Sequence, residues 1–387
     1  MTPPETLYAT VGNDRVAYQV SGNGPRDLVY TSGFWSHLDV QWEDAGHARM
    51  FRRLGSFARL IRFDRRGTGS SDHPTDDQHS IERWITDLLA VLDAAGARAP
   101  VVVSTIDSGP VVLQFVDRHP DRCSGLVFIN TIAAIARAPG YPQGHPPEMI
   151  AGFRNFFAQA WGNPAFGARF APSLADNPRL LQWYSKLQRA MASPRAVAEN
   201  FDVLSSLDSR DVLPRVRVPT LVMARRHLAM LTCDQARVIA DGIPGARFVE
   251  LPGSDGAPAW EAPELILDHV EEFVTGSRAG ASPDRALAAV LLTDLVDSTR
   301  HAAALGDAEW RRLLDQHDQV LRTQVEQFGG RLVEVTGDGA LATFSRPGRA
   351  LECARALHDA LSALGLSMRA GAHLGEVELR DDGRVGG

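Results

Sequence analysis

The 387-residue chain is poor in cysteine and has no long apolar run. Its three cysteines, Cys123, Cys233 and Cys353, lie far apart and form no CxxC pair, which argues against a disulfide framework or a thiolate metal site. No stretch approaches the roughly 18 apolar residues of a membrane helix, and the first residues lack the apolar segment of a secretory signal. We therefore expect a cytoplasmic protein with no membrane partner.

The chain also lacks an excess of positive charge. It has 40 Lys and Arg residues against 47 Asp and Glu residues, which gives a formal net charge of −7. A nucleic-acid-binding surface is basic, so nucleic acid is not an expected partner. Apolar residues, in contrast, make up an ordinary 44% of the sequence. The length indicates two domains, and a Gly-, Ser- and Pro-containing segment predicts 1–276 and 286–387 joined by a linker at 277–285.

The first domain alternates short apolar runs with helical patterns. Leu126–Asn130 and Thr220–Ala224 are typical of buried strands, and Ser80–Ala95 is typical of a helix. This alternation predicts an α/β fold with a mostly parallel sheet covered on both faces. The segment 138–211 interrupts the rhythm with a helical pattern that is rich in Phe, Trp, Leu and Ala. We expect it to form a cap over the ends of the strands.

The run Phe63–Asp72, FDRRGTGSSD, resembles the D-x-R-G-x-G-x-S loop of α/β-hydrolases. VPTLVMARR and IPGARFVELPGSD resemble the last two core strands of that fold, and the resemblance spans about Leu7–Gly276. It implies a catalytic triad, but Ile106 stands at the position that matches the nucleophile, Leu228 at the acid and Gly256 at the histidine. An isoleucine cannot attack a carbonyl, so we expect a triad-deficient domain.

A hydrolase-like scaffold that loses its triad still keeps a pocket. We expect this pocket to bind a small apolar molecule beneath the cap and so to act as a sensor. Packing in the core is the competing interpretation for the aromatic residues, and catalysis by Asp107 or Ser108 is a further alternative. The predicted pocket residues are Phe34, Trp35, Ile106, Asp107 and Leu228.

Two carboxylates mark the second domain. An apolar run, Ala286–Leu292, leads to Asp294, and Asp338 lies in a Gly-flanked turn between two short apolar runs. A strand end and a hairpin tip can bring two such carboxylates together, and hard oxygen ligands suit Mg²⁺ or Mn²⁺. Ser298 and Thr299 then open a helix whose N-terminal amides can hold phosphate.

The ordered pair TDLVDST and TGDG resembles the class III adenylate/guanylate cyclase catalytic domain, over about Arg285–Gly387. The resemblance implies a ferredoxin-like βαββαβ core and a homodimer formed through this domain. It also implies ATP or GTP as substrate and two Mg²⁺ or Mn²⁺ ions on Asp294 and Asp338. The implied phosphate-binding residues are Leu295, Val296, Asp297, Ser298 and Thr299.

The base-reading residues depart from the adenylate cyclase pattern. Glu334 stands where adenylate cyclases carry Lys, and Arg384 matches the second base-reading position. The family's transition-state segment would follow Gly387, so the expected cyclase domain is incomplete at its C-terminus. The preferred prediction is a nucleotide cyclase making cAMP or cGMP plus pyrophosphate, regulated by the hydrolase-fold sensor. The alternatives are an active α/β-hydrolase with a regulatory, non-catalytic cyclase-like module, and a protein in which both domains are silent.

Overall fold

The computed structural model describes residues 3–32, 36–73, 80–276, 284–344, 347–379 and 385–386. It divides the chain into two compact units, Met1–Arg278 and Ala279–Gly387. Most of the predicted linker, residues 277–283, lies outside the described part of the chain. Each unit is described by itself. Within the described residues, no helix is both long enough and apolar enough to cross a membrane.

An eight-stranded sheet forms the centre of the first unit. Its strands are β1 (Thr6–Val11), β2 (Asp14–Ser21), β3 (Asp27–Thr31), β4 (Arg59–Phe63), β5 (Val101–Thr105), β6 (Gly125–Ile129), β7 (Thr220–Arg225) and β8 (Arg247–Leu251). Their order across the sheet is β1-β2-β4-β3-β5-β6-β7-β8. β1, β2 and β4 pair antiparallel, and the remaining pairs are parallel. The predicted mostly parallel sheet is confirmed.

Helices follow the strands of this sheet. They are α1 (Ala45–Phe57), α2 (Ile81–Ala94), α3 (Gly109–Arg118), α4 (Pro147–Ala160), α5 (Pro164–Phe170), α6 (Pro178–Met191), α7 (Pro194–Ser206), α8 (Cys233–Gly242) and α9 (Pro263–Thr275). Local sequence determines their starts: the Ser80 side chain accepts a hydrogen bond from the Arg83 amide, and Thr232 and Gln235 form a capping box.

The parallel strands are apolar along their whole length because both faces of the sheet are covered. Every residue of β5 and β6 is buried. Val102 and Leu126 pack in the cluster on one face, whereas Val101 and Val127 pack in the cluster on the other. Burial of such side chains contributes about 1.5–3 kcal/mol each. The strict alternation therefore fixes the register of the strands that end at the candidate site.

The segment between β6 and β7 contains α4, α5, α6 and α7, which together we call the cap. Its apolar faces are dominated by aromatic rings. Phe157 and Phe201 meet edge to face with centroids 4.9 Å apart, and Phe166 packs against Trp161 at 5.3 Å. The Trp161 indole donates to the carbonyls of Gln188 and Ala192 at 2.9 Å, which joins α4 to α6. The cap is thus packed internally as well as against the strand ends.

The second unit contains a small antiparallel sheet. Its elements are β9 (Asp284–Leu295), α10 (Ser298–Leu305), α11 (Asp307–Gln327), β10 (Arg331–Thr336), β11 (Gly339–Phe344), α12 (Pro347–Ser362), β12 (Met368–Leu379) and β13 (Val385–Gly386). The strand order is β10-β11-β9-β12-β13. Leu321 and Val325 of α11 and Leu357 of α12 pack with Leu291 and Phe344 of the sheet. A one-sided layer of helices on an antiparallel sheet is therefore the architecture of this unit.

Candidate ligand-binding site

The turn between β5 and α3 lies at the centre of the candidate site. Ile106 follows the last residue of β5 and adopts a left-handed conformation with φ of +56°. A β-branched residue in this region is uncommon and costs about 1–3 kcal/mol, so the surroundings must hold it there. The Thr131 hydroxyl donates to the Ile106 carbonyl at 2.8 Å, and the Ile106 side chain is 5% exposed. The strained strand-to-helix turn is present, and it places a buried aliphatic side chain at its apex.

Ser108, two residues further on, is used within the turn itself. Its hydroxyl oxygen accepts from the Thr105 amide at 2.9 Å and lies 2.8 Å from the Ser104 hydroxyl. Thr31 also lies within hydrogen-bond distance of the Ser108 hydroxyl, at 3.1 Å. Ser108 is 3% exposed, and it is not among the residues that line the cavity beneath the cap. These contacts make Ser108 a part of the turn rather than an available nucleophile.

Leu228 lies in the turn that follows β7. Its side chain is 6% exposed and lines a cavity together with His227 and Met230. The backbone of this turn is anchored to the loop after β8, because the His227 amide donates to the Gly253 carbonyl at 3.0 Å. Leu228 thus contributes an apolar wall at a position next to that loop.

Gly256, in the loop after β8, has no room for a side chain. A Cβ atom on Gly256 would lie 2.4 Å from the ring of Phe170. The Gly256 amide donates to the Phe170 carbonyl at 2.9 Å, so α5 and this loop are held together by backbone as well. Ile106, Leu228 and Gly256 therefore bring no nucleophile, carboxylate or imidazole to the site.

A cavity of about 40 Å³ lies between this turn and the cap. Its walls are mostly aliphatic and aromatic, and its polar members are Asp107, His145 and Asn200. Such a cavity has room for a few water-sized groups. The lining residues are Ile106, Asp107, Pro110, Ile132, Ile135, His145, Phe153, Phe157, Val197, Asn200, Phe201, Leu204, Met230 and Leu231.

Arg65 contacts two of the polar residues that line this cavity. Its guanidinium donates to the Asn200 side-chain oxygen at 2.7 Å and lies 3.4 Å from the Asp107 carboxylate. The same group lies over the Trp84 ring at 4.1 Å. Burial lowers the pKa of Arg65, although Asp107 and Asp87 oppose this change. Arg65 therefore holds the Asp107 carboxylate and the Asn200 side-chain amide at the edge of an apolar cavity.

A second cavity, of about 90 Å³, shares three walls with the first. Phe153, Phe157 and Met230 line both, so these three side chains separate the two volumes. The predicted pocket residues Ile106 and Asp107 line the first cavity, and Leu228 lines the second. Phe34 and Trp35 lie outside the described residues.

The sequence did not single out three polar side chains at this site: Asn200 and His145, which line the cavity, and Arg65, which contacts Asp107 and Asn200. Arg65 belongs to the FDRRGTGSSD run that indicated the fold, and that run does not reveal the contact with Asp107 across the sheet. Asn200 is a polar residue on the buried face of an otherwise apolar helix, and this pattern was an available signal. His145 lies in an irregular segment, where its Nε2 lies 2.7 Å from the Met230 carbonyl. No periodicity predicts that contact.

In the second unit, the structure brings Asp294 and Asp338 to neighbouring positions. Asp294 pairs with Gly339 across β9 and β11, and the Leu295 amide donates to the Asp338 carbonyl at 3.1 Å. Asp338 itself lies in the two-residue turn between β10 and β11. Within the described residues, no group of three or more His, Cys, Asp or Glu side chains is placed to hold a metal ion.

The other predicted residues of this unit fall into a loop, a helix start and a strand. Leu295 ends β9, and Val296 and Asp297 connect it to Ser298 and Thr299 at the start of α10, where Asp297 has φ of +54°. Glu334 lies on β10 next to a register shift. Arg384 lies outside the described residues. The predicted roles of these residues stay predictions.

Comparison with known proteins assigns the chain to a family. A family model described as alpha/beta hydrolase fold matches residues 28–263. This match spans more than half of the chain, and it contains most of β3, all of β4 to β8, the turn with Ile106 and the cap. The chain belongs to the α/β hydrolase fold family.

The relatives are similar over the same region. The chain is 23% identical over 259 residues to a bifunctional esterase/perhydrolase of Acinetobacter calcoaceticus, covering 63% of this chain and 91% of the relative. It is 27% identical over 234 residues to a non-heme chloroperoxidase of Streptomyces lividans, covering 57% and 80%. The enol-lactonase from Burkholderia xenovorans LB400 superposes with a TM-score of 0.59 at 23% identity, covering 70% of this chain and 100% of that structure. This structural likeness shows the fold alone.

These comparisons contradict the prediction of a nucleotide cyclase. The family model and the relatives support a hydrolase rather than a phosphorus–oxygen lyase with ATP or GTP as substrate, and they give no support to a cyclase homodimer. The motif residues have ordinary structural roles: Asp338 lies in a tight hairpin turn and Asp297 precedes a helix. The alternative, a hydrolase with a non-catalytic second unit, fits the comparisons better.

Proposed function

We propose that residues 1–278 bind a small, mostly apolar molecule in the cavity beneath the cap, as a hydrolase-family unit acting on small molecules. The observation that carries this proposal is the cavity between Ile106 and the cap, with apolar walls and one polar edge. Ligand sites of open α/β sheets lie at the carboxyl ends of the strands, which is where Ile106, Ile132 and Met230 follow β5, β6 and β7.

The polar edge restricts the chemistry of the molecule. Asp107 offers a carboxylate, and Arg65 already supplies one cation beside it. A ligand with an apolar body and a neutral hydrogen-bond donor satisfies this edge, whereas a second carboxylate would meet repulsion. The volume of about 40 Å³ admits a compact ligand only when Phe157 or its neighbours move into the adjoining cavity.

Thermal unfolding of the full chain with a panel of compact compounds tests this proposal. Toluene, p-cresol and cyclohexanol serve as probes, and binding raises the unfolding temperature by mass action. The variant Val197→Phe fills the cavity from α7 and should abolish the shift. Arg195→Phe adds the same ring to the exposed side of that helix and should keep it. If no compound stabilises the wild type, or if both variants retain the shift, the proposal fails.

Hydrolysis of a small ester or lactone is the second candidate function, and the esterase and lactonase among the relatives favour it. We propose that Ile106, Leu228 and Gly256 replace the triad, so any turnover must use another group. Asp107 is the carboxylate that reaches the cavity. Initial rates with 4-nitrophenyl acetate and γ-butyrolactone, compared between wild type and Asp107→Asn, test this candidate. Turnover that disappears in Asp107→Asn supports it, and a wild-type rate equal to the buffer rate excludes it for these substrates.

We propose that residues 279–387 form a ferredoxin-like module without catalytic activity that regulates the first unit. The order strand–helix–strand–strand–helix–strand and the antiparallel sheet support this arrangement. Asp294 and Asp338 are the proposed ligands of a divalent cation. The sequence analysis expects two such ions on these residues. Calorimetric titration with Mn²⁺ should give binding that Asp294→Asn and Asp338→Asn each weaken at least tenfold. Binding that is unchanged in both variants would rule out this cation site.

A further inference from the structure

A small buried chamber lies on the other side of Ile106 from the cavity beneath the cap. Its volume is about 20 Å³, which is room for one or two water-sized groups. Ile106 lines both spaces and is therefore the wall they share. The chamber has more polar side chains in its lining than the cavity, although apolar residues such as Phe170 and Leu187 also line it. The polar members are Tyr30, Ser32, Gln41, His47, Thr105 and Tyr184.

The hydroxyl of Tyr184 has no hydrogen-bond partner among the described residues, although the side chain is 3% exposed. An unpaired buried hydroxyl costs about 1–3 kcal/mol. Burial raises the pKa of Tyr184 well above its usual value, and the nearby charge of Asp255 acts in the same direction. The group is therefore a neutral hydroxyl whose proton has no acceptor among the described residues, and Tyr184 is one of the residues that line the chamber.

His47 provides the complementary acceptor. Its Nδ1 lies 2.7 Å from the Asp44 carboxylate, which also accepts from the Trp260 indole at 3.0 Å. Burial opposes ionisation of Asp44, but the hydrogen bonds from His47 outweigh it and lower the pKa of this carboxyl. Burial lowers the pKa of His47 as well, so the imidazole is neutral near pH 7. An ionised carboxylate only accepts, so Nδ1 carries the proton and Nε2 is left as an acceptor.

Trp260 holds the two groups beside each other. The His47 and Tyr184 rings both meet the Trp260 ring edge to face, with centroid distances of 5.1 Å and 5.2 Å. A donor and an acceptor that line one small chamber are satisfied together by a group that both donates and accepts a hydrogen bond. An alcohol hydroxyl has this property, and an ether oxygen does not.

We propose that the chamber of His47 and Tyr184 receives the hydroxyl group of a small apolar alcohol whose body lies in the cavity beneath the cap. This inference rests on the proposed function, because the apolar body occupies the same cavity. The Ile106 side chain, as the common wall, turns aside when such a ligand spans the two spaces. A buried water without any role in ligand binding is the competing occupant.

Matched probes separate these possibilities on the full chain. Cyclohexanol and its methyl ether, methoxycyclohexane, have the same apolar ring and differ in the donor. We expect calorimetric titration to show about tenfold tighter binding of the alcohol, the size expected for one to two net hydrogen bonds. In His47→Leu the two affinities should become equal, because only the alcohol can donate to the His47 Nε2. In Tyr184→Phe both affinities should fall together, because the alcohol oxygen and the ether oxygen both accept from that hydroxyl. Tyr141→Phe is the control, because the Tyr141 hydroxyl donates to the Ala134 carbonyl at 2.9 Å away from the chamber, and it should keep the tenfold ratio.

Two further measurements keep the test decisive. Tyr184→Phe removes a hydroxyl that has no partner, so the unliganded variant should unfold at the same or a higher denaturant concentration than the wild type. With ¹⁵N-labelled histidine, cyclohexanol should shift the Nε2 resonance of His47 and methoxycyclohexane should not.

The outcomes are distinct. Equal affinities in the wild type, or a preference that survives in His47→Leu, would overturn the hydroxyl site and leave the apolar cavity intact. Loss of stability in unliganded Tyr184→Phe together with equal wild-type affinities would identify a structural water as the only occupant. Failure of both probes to bind would overturn the proposed function and this inference together.

Discussion

The ring of Phe170 fills the space in front of Gly256, so that a Cβ atom at position 256 would lie only 2.4 Å from it. Phe170 belongs to α5 of the cap, and Gly256 belongs to the loop after β8. The Phe170 ring thus occupies the space that a side chain at position 256 would need. Position 256, which the sequence analysis matched to the histidine, therefore has no room for a side chain while the Phe170 ring keeps this place.

This contact predicts that Gly256→Ala destabilises the first unit by about 1–3 kcal/mol, because the added methyl group must displace a ring in a packed core. Urea unfolding measures the change. Gly152→Ala is the matched control, since a Cβ at position 152 of α4 meets nothing within 4 Å. It should stabilise by about 0.5–1 kcal/mol through helix propensity. A neutral Gly256→Ala would show that Phe170 yields easily.

The conformation of Ile106 predicts that its glycine variant is more stable than its alanine variant, the reverse of the order expected in a strand. At Ile129, in β6, Gly should be worse than Ala because of backbone entropy. At Ile106, where φ is +56°, Gly should instead be better than Ala by about 1 kcal/mol, since only Gly adopts this region without strain. Urea unfolding of the four variants gives the comparison. The same order at both positions would contradict a strained turn.

His47 predicts a loss of stability on acidification. Its pKa is lower in the folded protein than in the unfolded chain, where it is about 6.5. Below that pH the unfolded chain takes up a proton that folded His47 does not, so stability falls as pH decreases from 7 towards the folded pKa. The slope from one such group is at most about 1.4 kcal/mol per pH unit. Urea unfolding between pH 5.5 and 7.5 should show a shallower slope in His47→Gln than in the wild type, whereas an equal slope would exclude His47 as its source.

The buried pair of Arg66 and Asp87 predicts a large effect of removing one partner. The Arg66 side chain and amide bond both oxygens of Asp87, at 2.6 Å and 2.9 Å, and Asp87 is 0% exposed. Asp87→Ala should cost about 3 kcal/mol, near the low end for breaking a buried pair, because the Arg66 guanidinium keeps only its bond to Asp14 at 2.9 Å and the Arg66 amide loses its acceptor. Asp202→Ala breaks the exposed pair with Arg154 and should change stability by less than about 1 kcal/mol. Similar costs for both would contradict this account of burial.

The fold of the first unit could be predicted from the sequence because the pattern of apolar residues that determines it is local. Continuous apolar runs such as LVFIN can be buried only in a sheet covered on both faces, and β6 confirms this. The assignment of Ile106 to the nucleophile position also came from a local motif, and it stays a prediction. The filling of the Gly256 space by Phe170 was not readable, because the two residues are far apart in sequence and no pattern links them.

The prediction of a cyclase failed for a related reason. Asp and Gly residues at strand ends and hairpin tips serve metal sites, but they also serve turns and helix starts, as Asp338 and Asp297 do here. The pair of Asp44 and His47 shows the opposite case. Asp44 accepts from the His47 amide at the start of α1, a capping contact between residues three apart in the sequence. Its proximity to Tyr184 and Trp260 is a tertiary contact that the sequence does not reveal.

Xenon binding in crystals of the full chain is the most direct test of the central claim, the apolar ligand cavity beneath the cap. Xenon occupies dry apolar cavities and gives an anomalous signal at its position. The account predicts a xenon site bounded by Ile106, Phe157 and Val197, and its loss in Val197→Phe. A map without xenon at this position, or with xenon there in both proteins, would contradict it.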